Sequence, residues 1–238
     1  MKKYLLLLTA SLSFTVAYGQ TTFQKTFGTT ASEKGYSISQ TQDKGYILLS
    51  PADNGSYAYV VKTDSVGNKI WSENISGQYP RNIIQMKDGG YILSGGLANN
   101  PAYLIKLTSA GNINWQWKYT YSFGINYFNY VKDDLDGTGF VTTGEDNNDK
   151  LFLVKLTASG NVIWATSMEP PVTNPHPRSG GFVQSKLDSS FYVLSTYRIG
   201  GSNEGIILAK FSKNGNGMWP NHFQRVECIQ RGLTEICQ

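Results

Sequence analysis

The residue spacing most suggestive of chemistry lies between Asp134 and Glu145. Asp134-Leu135-Asp136-Gly137-Thr138-Gly139, followed by Glu145, sets acids at positions 1 and 3, glycine at 6 and a carboxylate at 12, the ligand order of a calcium loop. The surroundings argue against such a loop. Asp136-Gly137 opens an apolar stretch, Phe140 to Gly144, that reads as extended strand and carries Glu145 away from the two aspartates. A smaller cation held in the turn by Asp134 and Asp136 is the metal chemistry that remains, beside the plainer reading of an Asp-Gly turn. His176 and His222 are the only histidines, too few for a histidine metal site, and no G-x-S-x-G elbow accompanies either one for a serine triad. Cys228 and Cys237 sit in the last eleven residues, where they could pair in an oxidising compartment; the chain from Gln20 to Trp219 has no cysteine and cannot depend on disulfides. From these types and spacings no catalytic, cofactor-binding or metal-binding residue is assigned and no cofactor is called for.

Three further groups of side chains suit binding better than catalysis. Trp115, Trp117, Tyr119, Tyr121 and Phe123 alternate with polar residues and make one strand face wholly aromatic, either a sugar-stacking platform continued by Tyr127, Phe128 and Tyr130, or packing between neighbouring sheets. Packing is the preferred account, with the aromatics from Phe123 onward expected to be exposed. Lys62, Lys106, Lys155 and Lys210 occupy equivalent positions and could form a basic ring for an acidic ligand. Each is expected instead to lay its stem along a sheet and carry its charge to water. The segment Glu169-Pro170-Pro171-Val172-Thr173-Asn174-Pro175-His176-Pro177-Arg178 is stiffened by proline, and as a loop on a rigid scaffold it is a natural place for binding.

The elements that must position these groups are set out by an internal repeat. Tyr59 to Trp71, Tyr103 to Trp115, Phe152 to Trp164 and Ile207 to Trp219 share lysine, glycine, asparagine and tryptophan at fixed places, with tryptophan spacings of 44, 49 and 55 residues. Each copy is preceded by a turn and strand: Asp43-Lys44-Gly45-Tyr46, Asp88-Gly89-Gly90-Tyr91, Asp136-Gly137-Thr138-Gly139-Phe140 and Asp188-Ser189-Ser190-Phe191. Every copy reads as four short strands; in the second these are Asn82 to Met86, Tyr91 to Ser94, Tyr103 to Leu107 and Ile113 to Lys118, with a loop from Gly95 to Pro101. Apolar runs such as Tyr103-Leu104-Ile105-Lys106-Leu107 suit strands covered on both faces. The expected fold is all-β, a β-propeller of about four four-stranded blades, as a closed four-bladed ring or as part of a larger propeller. Phe23 to Gly28 lines up with the strand that begins at Trp71, so this leading segment is expected to complete the last blade and close the ring. Phe223, Val226, Ile229, Leu233 and Ile236 fall at helical spacing, so 220–238 reads as an irregular or short helical tail.

The module D-G-G-Y-I-L-x-G followed by Y-L-I-K-L-x-x-x-G-N-x-x-W resembles the β-propeller repeat of secreted bacterial surface proteins. Its G-N-x-x-W end is more distantly similar to the tryptophan-docking repeat of quinoprotein-type propellers. The resemblance covers Phe23 to Trp219 and implies a fold more than an activity, with Trp71, Trp115, Trp164 and Trp219 docking one blade on the next. The function it implies is an exported, non-enzymatic binding or interaction module at the cell surface or in the extracellular space. One alternative is a quinoprotein-like oxidoreductase or other propeller enzyme, and another is a structural or adhesive segment of a larger surface protein.

Lys2 and Lys3, the apolar run Leu5 to Val16 and the small-residue pattern Ala17-Tyr18-Gly19 make residues 1–19 read as a secretory signal peptide, with 20–219 as the propeller domain. The protein is therefore expected to be secreted, in the periplasm, at the cell surface or outside the cell, with no transmembrane segment after cleavage. Losing the two lysines takes the formal charge from +4 to +2, which gives little reason to expect nucleic acid as a partner. The expected partner is a protein or surface polymer of unknown identity. Charged residues at 16% and aromatics at 13% agree with a sheet protein rather than a disordered or coiled-coil chain.

Overall fold

The computed structural model describes residues 22–76, 79–97, 100–119, 125–146, 150–168, 178–199 and 203–217. Among them are fifteen strands, one 3-10 turn and no α-helix. The first sheet joins β1 (Ser37–Gln40), β2 (Tyr46–Ala52), β3 (Tyr57–Thr63) and β4 (Lys69–Ser76) in consecutive antiparallel order. The second repeat gives β5 (Pro80–Gln85), β6 (Tyr91–Leu97), β7 (Asn100–Leu107) and β8 (Ile113–Tyr119). The third gives β9 (Ile125–Asp133), β10 (Gly139–Asp146), β11 (Leu151–Thr157) and β12 (Val162–Met168), and the fourth β13 (Arg178–Gln184), β14 (Phe191–Ile199) and β15 (Asn203–Phe211). The elements thus follow the repeat, apart from the Gly95 to Pro101 loop, most of which is absorbed into β6 and β7.

The protein is a β-propeller: β1, β5, β9 and β13 follow one another along the centre and each carries the rest of its blade outward. Its hydrophobic cores lie between blades, which is why the strands are apolar on both faces. Ile47, Leu49, Val60 and Ile75 of the first blade pack against Ile83, Leu93, Ile105 and Leu107 of the second. On the other side of β7, Ala102 and Leu104 join Phe128, Phe140, Phe152 and Val154 of the third. Val141 and Leu153 then meet Phe182, Phe191, Val193 and Phe211 of the fourth.

A ring-on-glycine contact recurs at each junction. Trp71 meets Tyr91 at 5.6 Å between ring centroids and lies over Gly111, and Trp164 meets Phe191 at 5.8 Å and lies over Gly215. Trp115 stacks on Phe140 at 6.3 Å, and with Trp117 and Tyr119 it surrounds Gly160. These glycines hold φ near +90° in tight turns, where a side chain would be both strained and in collision with the rings. The three β8 aromatics therefore serve as packing between blades, as the sequence led us to prefer.

Two expectations are corrected. Among the described residues Phe23 to Gly28 forms no strand and pairs with no strand of the last blade. Phe23 packs on Tyr46 at 6.1 Å and over Gly67, occupying on the first blade the place that Trp71 takes on the second, while Phe27 covers Tyr59 and Val61. The outward faces at the two ends of the series remain exposed, with Ile38 at 65%, Ile206 at 72% and Leu208 at 56% of full accessibility. Of the repeated lysines, Lys62 and Lys106 do not reach water, while Lys210 stays partly exposed. Lys62 and Lys106 are buried and pair with the turn aspartates Asp43 (2.8 Å) and Asp88 (2.7 Å), and Lys210 pairs with Asp188 at 3.1 Å. Each ammonium finds a carboxylate from the turn of its own blade, so charge is neutralised locally and no basic ring forms.

Candidate axial site

Seven residues surround a central cleft of about 560 Å³: Arg81, Asn82, Tyr127, Asn129 and Tyr130 from inner strands, Tyr36 just ahead of β1, and Glu145 from β10. Backbone irregularities aim them. In the β5–β6 ladder Pro80 faces Gly95 and Asn82 faces Ser94, which leaves Arg81 as the extra residue of a bulge. The β9–β10 ladder passes from Tyr130–Thr143 to Phe128–Gly144 and leaves Asn129 extra in the same way. Gly180 has that place in β13, between Ser179–Ser195 and Gly181–Leu194. Tyr36, just ahead of β1, donates its N–H to the Leu49 carbonyl, which also faces Ser37, and so matches them. A bulge turns one side chain out of the regular alternation. Here the turned positions of successive blades converge.

Hydrogen bonds between inner strands fix the floor of this cleft. Asn82 donates from Nδ2 to Ser37 Oγ at 2.9 Å and accepts the Val131 N–H at Oδ1 at 3.1 Å, tying the first three blades together. Ser39 Oγ donates to the Ile83 carbonyl at 3.0 Å. At the far end of the strands, Gln85 Oε1 accepts the Gln42 N–H at 2.7 Å and Gln184 Oε1 accepts the Leu135 N–H at 2.8 Å.

The reactive groups stand on this floor. Glu145 lies directly opposite Tyr127 in the β9–β10 ladder, so the carboxylate and the phenol share a face. Asn129 Nδ2 donates to Glu145 Oε1 at 3.0 Å and orients the carboxylate. From the second blade the Arg81 guanidinium lies 4.6 Å above the centre of the Tyr127 ring, and its Nε is buried without a hydrogen-bond partner. The Tyr103 hydroxyl is likewise buried and unpaired; burial pushes its pKa up, with Arg81 opposing the shift. A carboxylate held by an amide, a facing phenol and a cation offer proton transfer beside a site for negative charge.

The calcium-like spacing resolves differently. Asp134 is buried, and both it and Asp136 (2.5 Å) form ion pairs with Lys155 Nζ, which stands where a turn-bound cation would have to sit. Burial opposes the charge on Lys155, but the two aspartates outweigh it and raise the lysine pKa. Glu145 lies near the far end of β10, away from that turn. Of the aromatic run beyond β8, Phe128 is buried in the core while Tyr127 and Tyr130 line the cleft. Tyr121, Phe123, the 169–177 segment with His176, and Trp219, His222, Cys228 and Cys237 lie outside the described residues. Arg81 and Asn129 went unnoticed in the sequence. A signal was there, because Tyr36, Arg81 and Asn129 each stand seven residues before the repeated turn aspartate, at a place where the repeat changes residue type.

No family model and no curated protein sequence matches the chain. Among solved structures it is similar to an engineered glycoside hydrolase of family GH43 with endo-xylanase and exo-arabinofuranosidase activity. The TM-score is 0.52 at 10% identity, over 83% of this chain and 44% of the hydrolase. The chain thus spans less than half the length of that enzyme. A Lactobacillus plantarum protein matches with a TM-score of 0.44 at 10% identity, over 77% of this chain and 69% of its own. The first similarity is one of fold, a propeller. It counts against the expectation of a non-enzymatic binding module, because the solved propeller that this chain resembles is an enzyme.

Proposed function

We propose that this protein is a propeller enzyme that cleaves a glycosidic bond in its axial cleft, with Glu145 as the acid–base group. The observation that carries the reading is Glu145 opposite Tyr127 in a cleft built from the bulge positions of successive inner strands. Glycosidic cleavage needs an acid–base group and a second group across the bond. That second group is a carboxylate in most such enzymes, and a tyrosine takes its place in some. Among the described residues lining the cleft, Glu145 is the one carboxylate, and Tyr127 faces it. In this arrangement Glu145 protonates the leaving oxygen as the glycosidic bond breaks, water adds to the anomeric carbon and its proton returns to the Glu145 carboxylate; Asn129 holds Glu145 in line, and Tyr36 and Tyr130 offer rings and hydroxyls to a polyhydroxylated ring. The enzyme works outside the cytoplasm, consistent with the export expected from residues 1–19.

The test is release of reducing ends from a panel of plant and bacterial polysaccharides by the purified chain, compared with Glu145→Gln. The amide keeps the shape and removes the proton-transfer function, so a loss of at least about a hundredfold is expected, with the thermal midpoint unchanged. Turnover that survives in Glu145→Gln, or no turnover on any member of the panel, overturns the reading.

A further inference from the structure

We infer that the axial cleft takes an anionic sugar, with Arg81 receiving its carboxylate or sulfate; this rests on the glycosidase reading and names its substrate class. A structural arginine on an inner strand ordinarily has a carboxylate beside it, because a guanidinium removed from water without one is costly. Arg81 has none among the described residues. The repeated aspartates are engaged by the lysines of their own blades, and the cleft's own carboxylate, Glu145, stands on the next blade in the hands of Asn129. What Arg81 does touch is the face of the Tyr127 ring, which fixes the plane of the guanidinium without neutralising it.

The backbone gives the same indication. Arg81 is the bulge residue of β5, so its strand departs from regular pairing at the position that delivers this cation to the axis. At the matching places stand Tyr36, Asn129 and Gly180, which bring no charge, so among the described residues lining the cleft Arg81 is the one cation. The buried and unpaired Arg81 Nε is a donor still to be satisfied. A planar carboxylate, or the oxygens of a sulfate ester, would accept from the guanidinium in the two-pronged way suited to arginine.

The cleft is therefore polar in one direction, with a cation on the second blade and a carboxylate on the third. A neutral oligosaccharide uses only one end of it. A sugar carrying an acid group on one side of its glycosidic bond uses both, the acid on Arg81 and the glycosidic oxygen toward Glu145. The one fixed cation on the Tyr127 ring sets the direction in which the ring enters.

The experiment is calorimetric titration of the intact chain and of Arg81→Gln with three probes of equal length: an oligogalacturonide, a sulfated oligosaccharide and a neutral xylo-oligosaccharide. The chain should prefer at least one acidic probe over the neutral one by tenfold or more, which is about 1.4 kcal/mol. Rising salt should shrink that preference, and Arg81→Gln should abolish it by bringing acidic binding down to the neutral level. The better of the two acidic probes assigns carboxylate or sulfate. Equal binding of acidic and neutral probes overturns the inference and leaves the glycosidase reading standing, as does an acidic preference that survives in Arg81→Gln. Absence of binding by all three overturns both. Should Arg81→Gln unfold, Arg81→Lys gives the same test, since a lysine keeps the charge and loses the fork: acidic binding should weaken and remain salt-sensitive, and unchanged acidic affinity counts against the inference.

Discussion

The contact of aromatic rings with a turn glycine at each blade junction can be tested by placing a methyl group in two turns that differ only in what surrounds them. Gly89 and Gly160 both have φ near +85°, at +84° and +87°, and both donate their N–H in a tight turn, to Met86 and Thr157, at 2.9 Å. A Cβ on Gly89 meets nothing within 4 Å, so Gly89→Ala reports only the left-handed backbone, about 1–2 kcal/mol. On Gly160 the same atom lies 2.7 Å from Trp117 Cδ1, 3.0 Å from the Tyr119 hydroxyl and 3.1 Å from Trp115. Forcing three rings apart adds roughly 1–3 kcal/mol of overpacking, so Gly160→Ala should be the worse of the pair by that amount. With a urea slope of about 2 kcal/mol per molar, the midpoints should differ by roughly 0.5–1.5 M at equal slope. Trp117 is half exposed, so Trp117→Ala alone is mild, and in the Gly160→Ala background it should recover at least about 0.5 kcal/mol. Equal midpoints for the two glycine variants would refute the claim that these rings and glycines fit one blade to the next.

The Asp–Lys pairs should respond unequally to loss of either partner. Asp43→Ala leaves the Lys62 ammonium, at 4% side-chain exposure, with little beyond the Thr63 carbonyl at 2.7 Å, and should cost about 2–4 kcal/mol. Lys62→Met leaves a carboxylate that is 55% exposed and hydrated, and should cost about 1 kcal/mol or less; urea melts of both variants decide this, and equal losses would count against it. Acid should act through the same pair. The hydrogen bond from Lys62, with a second from the Thr41 hydroxyl, lowers the Asp43 pKa from 3.8 to about 2. A carboxyl with a depressed folded-state pKa contributes stability that is complete above its unfolded value and is lost as pH falls through the folded one. The Asp43 share should therefore fade between about pH 4 and pH 2, and the gap in urea midpoint between the native chain and Asp43→Ala should narrow over that window.

The repeat made most of the fold legible, because residues that hold blades together recur with the blades. Tyr46, Tyr91, Phe140 and Phe191 follow each turn and receive the aromatic ring of the preceding segment. The lysines were visible as a set and the turn aspartates as another, but their pairing was missed. The general habit of lysine, a stem along the sheet and a head in water, does not tell that the aspartate of the same blade waits at the end of the neighbouring strand. Phe23 takes on the first blade the place that its match to Trp71 implies, but among the described residues its segment forms no strand and pairs with none of the last blade. Closure depends on how far the blades turn about the axis, a packing quantity that no local pattern encodes.

The site was the least legible part for the reason that makes it a site. Repetition exposes what every blade needs, whereas Arg81, Asn129 and Glu145 are what single blades do not share. Their delivery to the axis depends on bulges, and a bulge is a property of a pair of strands, seen only once the register of β5 on β6 and of β9 on β10 is known. The same division bears on how the molecule can change. Cores between blades hold the inner strands in place, and Asn82 links three of them, so the side chains at the bulge positions contribute little to the packing that supports them. Substitution at Arg81 or Glu145 should therefore alter what the cleft accepts and does while the scaffold persists. Substitution at Gly160 or Asp43 should weaken the scaffold with no change in what the cleft prefers.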